Sequence, residues 1–131
     1  MNNFVASGKR KSSIARAMIK QGTGKIKVNK VNYENLPMLR RLLIQEPLNI
    51  AKKYGINFDI EIKVRGGGIE SQMEAARLAI ARAIVGFTKS EQIRRELLSY
   101  DRNLLIADTR RKETRKPGDS KARAKRQKSY R

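Results

Sequence analysis

Cysteine, histidine and tryptophan are all absent from the 131 residues. Without cysteine there is no disulfide framework, no thiolate zinc site and no thiol nucleophile. Without histidine the serine–histidine triad, imidazole metal sites and the commonest general base are excluded too. The four tyrosines and three phenylalanines are scattered, with no basic-aromatic block of the kind that stacks single-stranded bases on a sheet. No apolar run approaches the roughly 18 residues that a membrane span needs. Met1–Ser7 lacks a basic stretch followed by an apolar one, so no signal peptide is expected and the reducing cytosol is the expected compartment.

What the chain has in excess is positive charge. Thirty-one lysines and arginines against 12 acidic residues give +19, while a hydrophobic share of 39% is enough for a folded core. The length suits one domain, and the charge surplus points to a polyanionic partner. The surplus is uneven. Eleven cations (Arg110, Arg111, Lys112, Arg115, Lys116, Lys121, Arg123, Lys125, Arg126, Lys128 and Arg131) face only Glu113 and Asp119 in the last 22 residues. The apolar side chains there are Ala122, Ala124 and Tyr130, too few to offset the entropy of ordering. Residues 1–109 are therefore expected to form a globular domain, and residues 110–131 an extended basic arm that orders on its partner.

Within residues 1–109 the pattern is that of a small α/β (α+β) domain. Ser13–Lys20 alternates, Gly22-Thr23-Gly24 is a turn signal, and Lys25–Asn29 alternates again; together they predict a hairpin. Tyr33–Gln45 reads as helical, begun or bent near Pro37 and interrupted by Pro47, with a second short helix over Leu48–Tyr54 ended by Gly55. Phe58–Arg65 is the clearest strand, with Phe58, Ile60, Ile62 and Val64 on the core side. The apolar stripe of Ile69–Phe87 predicts a helix whose alanines pack closely on a sheet, and a further helix is expected over about Ser90–Ser99.

Two short motifs carry chemistry. Gly8-Lys9-Arg10-Lys11-Ser12-Ser13 joins three cations to two hydroxyls, the donor set that phosphate contact needs; its plain alternative is a solvated charge cluster. Gly66-Gly67-Gly68, following Arg65, sits between a strand and a helix, where free backbone N–H groups favour an anion. The alternative there is a tight turn. Neither nucleotide-loop spacing is met, because after Gly68 the next glycine is Gly86. Asp59 and Glu61 share a strand face with Lys63 and Arg65, which predicts charge pairing over metal binding. Ser12 and Ser13 have no candidate base. No enzyme, cofactor, metal or small-molecule substrate is expected.

Three blocks, in this order, resemble a known family: Gly8–Ala17, the glycine-led helix Gly66–Ala83, and the ending Arg123–Arg131. They are similar to the small-ribosomal-subunit protein nine family, over about Ala6 to Arg131. Tyr100-Asp101-Arg102-Asn103-Leu104 and the terminal Lys125-Arg126-Gln127-Lys128-Ser129-Tyr130-Arg131 look like its archaeal and eukaryotic branch. Ser71 departs from the family, which commonly has glycine there.

The resemblance implies a two-layer domain like the second domain of ribosomal protein five, with a mixed sheet and helices on one face. It also implies a structural, ribosome-bound role in the cytoplasm, in the head of the small subunit, among neighbouring ribosomal proteins. Small-subunit rRNA would be met by Lys9, Arg10, Lys11, Arg16, Arg65, Gly66, Gly67 and Gly68. The arm residues Arg110, Arg111, Lys112, Arg115, Lys116, Lys121, Arg123, Lys125 and Arg126 would continue that contact. Lys128, Ser129, Tyr130 and Arg131 would touch P-site tRNA. Fully extended, 22 residues reach about 70–80 Å, so body and tip can work at separate places. Composition alone leaves open a free nucleic-acid-binding protein, such as a chromatin protein or the protein subunit of an RNA-processing ribozyme.

Overall fold

The computed structural model describes residues 3–55, 57–106 and 110. Strands β1 (Phe4–Arg10), β2 (Ser13–Gln21), β3 (Ile26–Val28), β4 (Val31–Asn32) and β5 (Phe58–Arg65) form one mixed sheet in the order β1-β2-β5-β3-β4. Helices α1 (Met38–Lys52), α2 (Ile69–Thr88) and α3 (Glu91–Tyr100) complete the α+β fold. Period-2 alternation decides the layering. Ala15, Ala17 and Ile19 of β2 and Ile60 and Ile62 of β5 are buried beneath the helices, while Ile14, Arg16, Glu61 and Lys63 stay on the open side.

The expected hairpin between β2 and β3 does not form. β5 lies between them, antiparallel to β2 and parallel to β3. The glycine-rich turn instead crosses the start of β5, and the Asp59 carboxylate explains how. One of its oxygens, Oδ1, accepts the backbone N–H groups of Thr23, Gly24 and Lys25 at 3.0, 2.9 and 2.9 Å. Gly22 lies so near that carboxylate that a side chain would run into it. Asn29 then extends the parallel ladder through its side-chain amide, which donates to the Val64 carbonyl and accepts the Val64 N–H.

Pro47 does not break the first helix. It lies inside α1, fully buried, with Ile44, Leu48 and Ala51 packed into the core on either side of it. A proline in a helix interior costs about 3 kcal/mol. Burial of those neighbours, at about 1.5–3 kcal/mol for each large side chain, outweighs that cost.

The expected close packing of α2 is present: Ala75, Ala76, Ala79, Ala81 and Ala83 are fully buried. Gly8 lies against the helix backbone itself: an added Cβ there would stand 2.5 Å from the Ala75 carbonyl oxygen and 2.8 Å from the Ala79 nitrogen. Gly8 thus serves helix packing, not phosphate approach. Arg77 of α2 then ties the helices together, pairing with Glu46 of α1 and, at 3.0 Å, with Asp101 at the end of α3. Its side chain is only 13% exposed, so removing either carboxylate would leave a nearly buried charge short of a partner.

Candidate nucleic-acid interface

The two sequence motifs meet at one end of the sheet. Arg10 pairs with Ser13 in the β1–β2 ladder, which makes Lys11 and Ser12 the tip of a tight hairpin, with Lys11 at φ 54°. Facing that tip is the turn after β5. The Ser13 hydroxyl donates to the Gly66 carbonyl at 2.9 Å, and the Gln72 side-chain amide donates to the same oxygen at 3.0 Å. Gly66 and Gly67 take φ values of 82° and 64°, a left-handed backbone that favours glycine. Both also lie against the hairpin: a Cβ on Gly66 would stand 2.6 Å from the Ser12 carbonyl oxygen, and one on Gly67 would strike the Ser13 hydroxyl.

Gly68 is the N-cap of α2 and offers no side chain to its free N–H groups. Nothing lies within 4 Å of where its Cβ would be. Ser71, the family departure, sits half-buried in the first turn of that helix.

Strand register arranges the cations around this end. Lys9, Ile14 and Arg65 form one row across β1, β2 and β5 on the open face; Ser7, Arg16 and Lys63 form the next. Arg16 and Lys63 are therefore direct cross-strand neighbours of like charge, a pairing that destabilises an isolated sheet. Farther along, Lys20, Lys25, Lys27 and Lys30 line a shallow cleft of about 240 Å³ beside Asp59 and Glu61. Sequence reading missed Lys63 and these four lysines, having set Lys63 and Arg65 against Asp59 and Glu61 along one strand. Asp59 is engaged by the turn instead. Its carboxyl is held below the ordinary value of 3.8, foremost by the Lys25 N–H, with the Gly24 and Thr23 N–H groups and the Lys20 charge adding to it against desolvation.

Not every expected cation faces outward. Arg10 points to the helix side, where its guanidinium meets Glu74 of α2 at 2.6 Å. Lys9 and Lys11 are exposed, as are Arg16 and Arg65. Arg110 lines a cleft of about 230 Å³ with Lys9, Arg10, Glu74 and Asp101, which places it at the hairpin end of the domain. Arg82 ties the end of the helical part to β1: its Nε donates to the Leu105 carbonyl at 3.2 Å and its Nη1 to the Ser7 carbonyl at 3.0 Å. The other arm positions, Arg111, Lys112, Arg115, Lys116, Lys121, Arg123, Lys125, Arg126, Lys128, Ser129, Tyr130 and Arg131, lie outside the described residues.

A cationic sheet end with an uncapped helix, and no catalytic grouping beside it among the described residues, is what comparison with known proteins has to account for. The model of the family described as ribosomal protein S9/S16 matches residues 8–131. Proteins named small ribosomal subunit protein uS9 from three strains of Methanococcus maripaludis are 47–48% identical to this chain over 127 residues, with 95% of both chains covered. Agreement so nearly end to end leaves one conclusion: the chain belongs to the ribosomal protein S9/S16 family, whose members are structural parts of a ribonucleoprotein and not enzymes.

Proposed function

We propose that this protein is a structural component of the small ribosomal subunit in the cytoplasm. Its body is held on small-subunit rRNA in the head, among neighbouring ribosomal proteins, and its C-terminal tip touches P-site tRNA. The observation that carries this reading is the like-charge register of the open face. Arg16 opposite Lys63, one row from Lys9 and Arg65, costs the isolated fold stability that a polyanion returns.

Phosphates would be met by Lys9, Lys11, Arg16 and Arg65, with the backbone of Gly66–Gly68 and the start of α2 adding N–H donors. Arg10 contributes less, because Glu74 already neutralises much of its charge. Arg110 begins the arm, and the cations from Arg111 to Arg126 continue along rRNA. Lys128 to Arg131 make only a few contacts, which suits a tRNA that must leave in each cycle.

The test separates body from tip in the full chain. Replacing Lys9, Lys11 and Arg65 together by Gln is expected to lower incorporation into small subunits and to make the salt dependence of rRNA binding shallower by about 2–3 in log–log slope. Deleting residues 128–131 is expected to leave incorporation nearly intact and to weaken P-site tRNA retention. Equal losses of incorporation in both variants would defeat the division of labour. Recovery of the native protein wholly outside ribosomes, bound to DNA or precursor tRNA, would defeat the ribosomal reading itself.

A further inference from the structure

The first two turns of α1 carry large apolar side chains that this fold does not use. Leu39 is 79% exposed, Met38 66% and Leu42 44%. Spacings of three and four residues put them on one stripe of the helix, while Ile44, Leu48 and Ala51 fill the core from another. A helix apolar on two stripes is buried on both in its working state. Arg40 and Arg41 flank the outer stripe, and the first turn holds no acidic residue.

Three occupants fail on chemistry. An RNA duplex turns phosphates and hydroxyls outward, and unstacked bases pack chiefly on aromatic side chains, of which the stripe of Met38, Leu39 and Leu42 has none. A second copy of the chain carries +19 of its own and would bring Arg40 and Arg41 against each other. Residues 110–131 of the same chain bring eleven cations and only Ala122, Ala124 and Tyr130 as apolar side chains. What fits is a polypeptide presenting apolar anchors edged by carboxylates.

We propose that the outer face of α1 around Met38, Leu39 and Leu42 docks another protein through an apolar segment flanked by Asp or Glu. None of the rRNA- or tRNA-contacting residues above takes part, so this surface stands or falls separately from the reading given there.

The test places a photoreactive amino acid at position 42 of the full chain in cells, with a second preparation carrying it at position 9. Position 42 is expected to crosslink to a peptide of a different protein with apolar residues next to carboxylates. The double substitution Met38→Ser, Leu39→Ser is expected to cut that yield about tenfold. The melting temperature of the isolated protein should stay unchanged, since both side chains are already mostly in water. Crosslinks from position 42 only to nucleotides, to a second copy or to residues 110–131, or a yield indifferent to the double substitution, would overturn the proposal. The probe at position 9 reports independently on rRNA.

Discussion

β5 begins and ends beside a glycine-rich turn, and the two turns dispose of their backbone N–H groups in opposite ways. At the start, the N–H groups of Thr23, Gly24 and Lys25 converge on the Asp59 carboxylate, an anion supplied by the chain itself. At the end, Gly66 and Gly67 lead into a helix whose N-cap, Gly68, has nothing to offer, and Lys11 and Arg65 add charge of the same sign. The start of α3 shows the ordinary alternative, with the Ser90 hydroxyl accepting the Ile93 N–H. A glycine-rich turn is therefore not an anion site in itself. What matters is whether the fold brings its own carboxylate to it, and here one turn is closed and the other left open.

The comparison can be broken at three places, and the largest effect is expected where the open end gets its shape. Gly8→Val would drive a side chain into the α2 backbone at Ala75 and Ala79 and cost about 2–3 kcal/mol, read by urea denaturation. A stability near that of the parent would mean that β1 does not need its close approach to α2.

Gly68→Asp is expected to act in two directions at once. The position is sterically free and its backbone is extended, so the carboxylate caps α2 and stabilises the free protein by about 0.5 kcal/mol. The same carboxylate would occupy the place proposed for a phosphate and is expected to weaken rRNA binding by about tenfold. If stability and binding rose together, the open end would not be an anion site.

Asp59→Asn gives the smallest effect and concerns pH. The folded carboxyl titrates below its ordinary value of 3.8, so its stabilising contribution is complete above that value. The contribution is lost as pH falls through the lower folded value. The substitution should flatten the acid limb of the stability-against-pH curve and leave its neutral shape unchanged. An acid limb as steep as the parent's would remove Asp59 from the account of the closed turn.

Elements with strong local periodicity were legible before any tertiary information. β5 and α2 fall where alternation and the helical stripe put them, and α3 falls within a residue of the expected Ser90–Ser99. β1 was not legible, because its helix side runs Phe4, Ala6, Gly8 and Arg10, two small residues between one aromatic and one cation, which leaves no hydrophobic alternation to read. The placement of β3 was missed for a different reason. A turn signal says that the chain reverses, not which strand it returns to, and Asp59, some 35 residues away, settles that. Likewise Pro47 reads as a breaker until the burial around it is known.

Composition alone fixed the sign and size of the charge, the exclusion of cysteine and histidine chemistry, and a hydrophobic share sufficient for a core, because each of these is a sum over residues. Which cations act together was decided only by the fold. Arg10 is answered by Glu74, while Arg16 is set against Lys63 by a pairing that spans 47 positions of sequence. Electrostatic interaction depends on distance, and distances between remote residues are set by strand order and register, which no local stretch of the chain contains.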